Sequence, residues 1–291
     1  MADGCSEREI RYGLIVSVSH RLSMSLIQIQ ELQVATELGR LYVKRWTPAR
    51  HDQRAPIVLF HDSLGCVELW RDFPERLAGT TGRSVIAYDR LGFGRSDPHP
   101  GMLDLGFVSD EADHAFRCLR EELGIARFVA FGHSVGGGMA VACAARYAHD
   151  CRGLITESAQ AFVEDRTIAG ILAARQAFAE PAQRERLSKY HGEKAAWVLK
   201  AWIDTWLAPA FSDWNLDEAL HGVRCPLLVL HGEQDEYGSA LHPQRIARLS
   251  QGPASMHLLH DCGHVPHREA AYTVLRIVDR WLQTAVDRAP S

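Results

Sequence analysis

A serine between two glycines is the first feature of the sequence that could do chemistry. Residues 132–136 read Gly-His-Ser-Val-Gly, an apolar run at 128–131 precedes them, and small residues typical of a helix start follow from Gly137. A serine hydroxyl is a poor nucleophile unless it stands clear of the backbone and a base can take its proton. A sharp strand-to-helix turn exposes the hydroxyl, and its crowded backbone requires the glycines. The pattern predicts that Ser134 is a nucleophile and not part of an accidental glycine-rich turn.

The base that would take this proton must be chosen from fifteen histidines. Position selects His264, which lies in Asp-Cys-Gly-His between the last strand-like run and the last helix-like stretch. A loop at that place can bring the imidazole to the edge of a sheet. His267 could face the same cleft and is the nearest alternative. We expect structural or solvated roles for most of the others, including His99, His149, His191, His221 and His242.

A carboxylate should hold the imidazole in the reactive tautomer. The apolar run 227–230 is followed by His-Gly-Glu-Gln-Asp-Glu, which places Asp235 just past the end of a buried strand. Glu233 and Glu236 are neighbouring alternatives, and Glu157, after the preceding strand, is a separate one. Asp235 is the preferred acid, and the chain order is then serine, aspartate, histidine.

The elements that must position these residues begin with short apolar runs. Six such runs follow position 50, and each ends where turn residues or histidines begin; this is typical of parallel strands buried on both faces. Alternating residues from Leu26 to Trp46, interrupted at Glu37-Leu38-Gly39, predict two more strands in an antiparallel hairpin. The six runs lie at 57–60, 85–88, 128–131, 154–155, 227–230 and 256–259.

Helical periods separate these runs. An apolar stripe from Ala112 to Leu123 follows a candidate N-cap at Ser109, and another from Ala271 to Trp281 forms the last helix. Strands that alternate with helices form doubly wound sheets. The chain is therefore predicted to be an α/β protein with a mostly parallel sheet of eight strands.

The interval 161–222 breaks this alternation, because it holds several helix-like stretches and no strand-like run. We predict a helical cap at 161–222, inserted into a core formed by residues 21–160 and 223–287. Four of the seven tryptophans lie in the cap, and packing onto the core accounts for most of them. Trp206 is the candidate for an apolar substrate pocket. Residues 1–20 are predicted to be a loosely ordered N-terminal leader.

Composition excludes several classes of function. The net charge of −4 leaves no basic excess for phosphates or anionic lipids, so we expect no nucleic-acid or membrane partner. No apolar run approaches the roughly 20 residues that span a bilayer. The seven cysteines are odd in number and never spaced Cys-X-X-Cys, so neither a disulfide framework nor a metal site is expected. The protein is predicted to be cytoplasmic and to need no cofactor.

With these motifs in place, the stretch from residue 26 to about 287 resembles the α/β-hydrolase family. Residues 88–96, Tyr-Asp-Arg-Leu-Gly-Phe-Gly-Arg-Ser, resemble the family's glycine-containing loop after the fourth strand, and residues 61–70 resemble its oxyanion loop after the third. The resemblance implies that backbone N–H groups of Ser63 and Val135 form the oxyanion hole.

One residue departs from the family pattern. Family members commonly have His-Gly at the start of the oxyanion loop, whereas His61 is followed here by Asp62. Asp62 is either a hydrogen-bonding turn residue, the favoured interpretation, or a group that handles water or a polar end of the substrate. Serine at position 134 excludes family members that use an aspartate as the nucleophile.

The resemblance implies hydrolysis of a small-molecule substrate through an acyl-enzyme on Ser134, and the aromatic and aliphatic content of the cap favours a small, moderately apolar ester. A second interpretation is hydrolysis of a carbon–carbon bond in an aromatic meta-cleavage product, with Glu157 or Arg166 contacting the substrate. A third is a non-catalytic ligand receptor on the same fold, which does not require the complete set of serine, aspartate and histidine. The sequence leaves the oligomeric state open, with a homodimer as one alternative.

Overall fold

An eight-stranded sheet forms the centre of the molecule, which is known from a computed structural model describing residues 27–49 and 54–288. The strand order is β1-β2-β4-β3-β5-β6-β7-β8. β2 pairs antiparallel with β1 and β4, and all other pairs are parallel. The predicted doubly wound, mostly parallel sheet is confirmed, and the predicted leader at 1–20 lies outside the described residues. The strands are β1 (Ile27–Thr36), β2 (Gly39–Pro48), β3 (Ile57–Phe60), β4 (Val85–Tyr88), β5 (Phe128–His133), β6 (Cys151–Glu157), β7 (Leu227–Gly232) and β8 (Ala254–Leu259).

Helices cover both faces of the sheet. Successive side chains of a strand point to opposite faces, and in β3 Val58 packs into one apolar core with Met139, whereas Leu59 packs into the other with Val278. Both faces are therefore buried, as the continuous apolar runs predicted. The helices are α1 (Phe73–Thr81), α2 (Phe107–Asp110), α3 (Ala115–Leu123), α4 (Val135–Arg146), α5 (Asp165–Ala177), α6 (Pro181–His191), α7 (Ala195–Trp206), α8 (Asp217–Gly222), α9 (Leu241–Leu249), α10 (Pro266–Glu269) and α11 (Ala271–Trp281).

The inserted helical segment lies between β6 and β7 and contains α5 to α8. Its aromatic side chains pack on one another: the ring of Trp206 lies 5.3 Å from that of Phe211 and 5.5 Å from that of Trp214. Leu220 of α8 is fully buried in the core that also holds the side chains of α4. The insertion is thus anchored to the core at its carboxyl end. None of the helices in the described ranges is long and apolar enough to cross a membrane.

The last strand differs from its prediction. Five of the six residues of β8 are exposed, including Met256 at 41% and Leu258 at 37%. β8 is the final strand in the sheet order and has β7 as its one strand neighbour. The expectation of a buried strand is wrong here, because an apolar run does not reveal that a strand lies at an edge.

The helix predicted to follow Ser109 begins later. The short helix α2 ends at Asp110, turns follow, and α3 starts at Ala115. The Ser109 hydroxyl donates to the carbonyl of Gly106 at 2.8 Å and does not cap α3. Ala112, the first residue of the apolar stripe, thus lies in the turns before α3, and the predicted N-cap at Ser109 is wrong.

Candidate active site

Ser134 occupies the turn between β5 and α4 in a strained backbone conformation, with φ of 55°. Its N–H donates to the carbonyl of Glu157 on the neighbouring strand at 2.9 Å. A Cβ atom on Gly132 would lie 2.0 Å from the carbonyl oxygen of Gly136, and a Cβ on Gly136 would lie 2.2 Å from that of Phe60. The turn therefore requires glycine at both positions, the physical reason for the Gly-X-Ser-X-Gly pattern.

Asp235 and His264 form a close buried pair at the same edge of the sheet. Nδ1 of His264 lies 2.9 Å from each carboxylate oxygen of Asp235. The carboxylate also accepts from the backbone N–H groups of Tyr237 at 2.8 Å and Gly238 at 3.1 Å. Burial would favour the neutral acid, but hydrogen bonding and charge from His264 outweigh it and lower the pKa of Asp235. The carboxylate can thus hold the Nδ1–H tautomer, which leaves Nε2 as the basic nitrogen.

Ser134 and His264 line one cavity, although no hydrogen bond joins them within the described part of the chain. The Ser134 hydroxyl instead donates to Oε1 of Gln160 at 3.3 Å. The hydrogen bond between a nucleophile and its base is commonly long in the free protein, and it tightens when substrate binds. Gln160 therefore holds the hydroxyl in a resting position at the cavity wall.

The cavity has a volume of about 240 Å³ and lies between the sheet edge and the inserted segment. α5 contributes Thr167 and Ile171, and α7 contributes Trp202 and Trp206. The predicted pocket residue Trp206 thus lies in the wall of the same cavity as Ser134. The other lining residues are Asp62, Ser63, Leu64, Gln160, Glu236, Tyr237, His264 and Val265.

Of the candidate oxyanion donors, Ser63 lines this cavity and Val135 directly follows the lining residue Ser134. Val135 is the first residue of α4, so its N–H has no acceptor within the helix. Ser63 lines the cavity, and its N–H makes no hydrogen bond to any described residue. Both amides are therefore free to donate to an oxygen that develops negative charge.

Asp62 builds the turn that carries Ser63. Its carboxylate accepts from the N–H of Leu64 at 2.9 Å, and its carbonyl accepts from the N–H of Gly65 at 3.2 Å. A side chain that caps the amide two residues ahead replaces part of a backbone turn. The candidate oxyanion loop keeps its turn with aspartate at position 62, and a Cβ on Gly65 would come within 2.7 Å of the Asp62 carboxylate.

The same carboxylate contacts His133, the residue before the candidate nucleophile. Oδ2 of Asp62 lies 3.3 Å from Nδ1 of His133, and Nε2 of His133 lies 2.8 Å from the carbonyl oxygen of His264. Burial would lower the pKa of His133, but hydrogen bonding and charge from Asp62 raise it above its ordinary value. Burial likewise opposes ionisation of Asp62, yet His133 holds the pKa of that carboxyl low. An ion pair therefore joins the oxyanion loop to the serine turn.

Glu157, a predicted substrate contact, is not among the residues that line the cavity. Its carboxylate is fully buried and lies 2.6 Å from Nδ1 of His267. His267, the alternative base, is likewise engaged there and 4% exposed. Arg166, the other candidate contact, donates to the carbonyl of Asp235 at 3.2 Å. The two candidate acids, Glu157 at the end of β6 and Asp235 after β7, thus pair with different histidines.

One group of side chains within the described residues has the spacing of metal ligands: His133, Glu157 and His267, with ligand atoms within 4.8 Å of one another. Each is already held by hydrogen bonds, His133 to the carbonyl of His264 and His267 to Glu157. A metal ion would have to break these contacts, so the group fits a hydrogen-bonded support behind the serine turn better than a metal site.

Sequence reasoning did not identify Gln160, His133 or Tyr237 as parts of the site. The ring of Tyr237 lies 4.8 Å from that of His264, and burial raises its pKa to about 12. Gln160 follows β6 by three residues, at the sheet edge where the other candidates gather. That position past a strand end was the available signal for Gln160, whereas the role of His133 depends on Asp62, 71 positions earlier.

Comparison with curated proteins finds partial likeness to several hydrolases. A (lyso)-N-acylphosphatidylethanolamine lipase of Bos taurus is 34% identical over 116 residues, 38% of this chain. The aligned stretch spans only 33% of that lipase's own length. Serine hydrolase BPHL of Homo sapiens is 26% identical over 233 residues, 78% of this chain and 79% of that protein.

Comparison with solved structures and with families identifies the fold. The 2-hydroxy-6-oxo-6-phenylhexa-2,4-dienoate hydrolase of Rhodococcus sp. strain RHA1 superposes with a TM-score of 0.75 at 15% identity, over 89% of this chain and 100% of that one. At that identity the likeness concerns the fold alone. The family model for the α/β-hydrolase fold matches residues 55–201, just over half of the sequence. The chain belongs to the α/β-hydrolase fold family.

Proposed function

We propose that the protein is a serine hydrolase that cleaves a small, moderately apolar carboxylic ester through an acyl-enzyme on Ser134. The observation that carries this proposal is the buried Asp235–His264 pair, with both carboxylate oxygens 2.9 Å from Nδ1, opening on the same cavity as Ser134. Nucleophile, base and orienting acid are the groups that acyl transfer requires. A purely binding protein needs none of this geometry.

In the first half of the reaction, Ser134 attacks the ester carbonyl carbon while Nε2 of His264 takes its proton. The carbonyl electron pair moves to oxygen, and the amides of Ser63 and Val135 donate hydrogen bonds to that oxyanion. The oxyanion then collapses, the bond to the alcohol oxygen breaks, and His264 returns the proton to the alcohol. An acyl group remains bound to Ser134.

In the second half, water enters from the cavity and His264 takes one of its protons. The hydroxide oxygen bonds to the acyl carbon, the oxyanion forms again, and its collapse releases the acid as Ser134 recovers the proton. Asp235 stabilises the imidazolium in both halves. Gln160, which accepts from the resting Ser134 hydroxyl, loses this contact when the hydroxyl turns to His264.

The cavity supports an apolar ester more than a dienol acid. Ile171, Trp202 and Trp206 give it apolar walls, and its volume of about 240 Å³ is slightly below the usual range of small-molecule sites. No lysine or arginine lines it among the described residues, whereas Asp62 and Glu236 do. A substrate carboxylate would face these two acids without a cation. We therefore rank carbon–carbon bond hydrolysis of a meta-cleavage acid below ester hydrolysis.

The experiment is labelling with a fluorophosphonate probe, followed by kinetics on p-nitrophenyl esters. Wild type and the exposed-site control Ser188→Ala should label and turn over esters alike, whereas Ser134→Ala should lose labelling and at least about 10³-fold in kcat. The proposal of an enzyme would be contradicted if folded wild-type protein stayed unlabelled and retained an added ligand without turnover. That result would favour a ligand receptor. Preferential turnover of a dienol acid would favour the carbon–carbon bond hydrolase.

We also propose that the protein works in the cytoplasm. Sulfur atoms of Cys151 and Cys225 lie 3.6 Å apart in the buried core as free thiols. Outside a reducing compartment, two thiols this close together would be expected to form a disulfide. Titration of thiols in the denatured protein, isolated from its own cells under an alkylating quench, should find all seven cysteines reduced; a disulfide would contradict the assignment.

A further inference from the structure

A second cavity lies beside the candidate active site. It has a volume of about 320 Å³ and is bounded by the β1–β2 turn, the loop after β4 and helix α3. Exposed charged residues, among them Glu37 and Asp104, lie at its mouth. Its interior is mainly apolar and includes Leu91, Phe93, Leu103, Phe107, Ala115 and Met139.

A small void, here called the neck, shares wall residues with this second cavity and with the cavity at Ser134. The neck has a volume of about 10 Å³, close to the smallest space that holds one water molecule. Ser63, Trp202 and Trp206 belong to the walls of both the neck and the Ser134 cavity. The neck begins at the candidate oxyanion loop and at the apolar face of α7.

The neck also shares wall residues with the second cavity. Phe93, Leu103 and Phe107 line both spaces. Arg90 also lines both, but its guanidinium donates to the carbonyl of Asp62 and to His61, and it stacks on Phe93 at 4.2 Å. The charge of Arg90 is therefore engaged by the protein, and a group that passes the neck meets mostly ring and aliphatic surface.

The buried acid of the second cavity is likewise engaged. The hydroxyl of Tyr88 donates to the carboxylate of Glu111. Burial raises the pKa of Glu111, against the hydrogen bond from Tyr88 and the charge of Arg90, which lower it. The interior thus offers apolar surface that can bury methylene groups, and the ionic groups at the mouth stay in water.

We propose that the substrate of this enzyme is a long-chain ester whose apolar chain runs from Ser134 through the neck into the second cavity. The inference rests on the proposed ester hydrolysis and extends it from a small ester to one with an extended arm. The chain is the acyl or the alkyl arm of the ester. Its passage turns Trp206 and Phe107 aside, since both line the closed neck.

The test fills the second cavity and leaves the Ser134 cavity unchanged. Ala115→Phe places a ring in the second cavity from α3, and Leu103→Trp does so from the loop if the helix variant fails to fold. Glu122→Phe is the matched control, because Glu122 is exposed, lies two turns along the same helix and lines neither cavity. Two substrate series, p-nitrophenyl acylates of rising acyl length and n-alkyl acetates of rising alkyl length, distinguish the two arms.

For Ala115→Phe we expect kcat/KM for the octanoate or the octyl ester to fall about tenfold, while the butyrate and ethyl acetate stay within about twofold of wild type. Whichever series responds identifies the arm that enters the second cavity. Equal kcat/KM profiles for wild type, Ala115→Phe and Leu103→Trp in both series would overturn the inference. Loss of the proposed function is a different result, in which wild type neither labels with fluorophosphonate nor hydrolyses the short esters.

Discussion

At the scale of single residues, Asp62 makes contacts beyond those that its own turn requires. Its carboxylate accepts from the N–H of Leu64 and pairs with His133, while His133 contacts the carbonyl of His264. These contacts connect three loops that present the candidate oxyanion donor, nucleophile and base. In the proposed mechanism Asp62 is therefore a positioning residue, because it acts on Ser63 through the loop that carries both residues.

The variant Asp62→Asn tests this role. The amide oxygen can still accept from Leu64, but the ion pair with His133 is lost, so the loop that carries Ser63 is held less firmly. We expect kcat on a p-nitrophenyl ester to fall about tenfold, with KM within about twofold. The exposed Asp213→Asn is the control. A loss confined to KM would show that Asp62 contacts the substrate and does not position the loop.

At the scale of elements, the β5–α4 turn depends on close backbone contact. The Cβ of an alanine at position 136 would lie 2.2 Å from the carbonyl oxygen of Phe60, on the adjacent strand β3. Neither backbone can move without disturbing the sheet. The same turn contains Ser134 in its strained conformation, so it couples the stability of the fold to the position of the candidate nucleophile.

Gly136→Ala should therefore lower the free energy of unfolding by about 3 kcal/mol or more, and it should reduce fluorophosphonate labelling. Gly79→Ala is the opposite case, because Gly79 lies in α1 and a Cβ there meets nothing within 4 Å. That variant should stabilise the protein by about 0.5–1 kcal/mol through helix propensity. Urea titrations measure both; equal midpoints for Gly136→Ala and wild type would refute the steric argument.

At the scale of the whole molecule, buried histidines make the fold sensitive to acid. Burial is the main cause that lowers the pKa of five of them below the ordinary value of 6.5. The unfolded chain binds protons at these positions at a higher pH than the folded chain does. Stability is therefore lost as pH falls below about 6.5. His133 opposes the trend, because Asp62 raises its pKa. The five are His61, His191, His231, His242 and His267.

We expect the melting temperature to fall by about 5–10 °C between pH 7 and pH 5. His242→Gln should make this decline shallower, since His242 is fully buried and its titration is removed. The exposed His149→Gln should leave the slope as in wild type. Thermal melts followed by circular dichroism across this range provide the measurement, and a flat profile would contradict the prediction.

The sequence by itself determined the fold class and the candidate residues, because these depend on local pattern. Apolar runs marked the strands, and glycine spacing marked Ser134. The runs stopped short of the strand ends, however: β5 continues to His133 and β6 to Glu157, where polar residues carry no strand pattern. Position past the last strand was enough to select His264.

Only the tertiary structure decided how these residues are supported and what space they face. The pairing of Asp62 with His133, the contact of Ser134 with Gln160 and the exposure of β8 depend on which strands become neighbours. The neck between the two cavities depends on how α7 meets the loop after β4. Such contacts join residues distant in the chain, and no local period or spacing encodes them, since they arise from packing of whole elements.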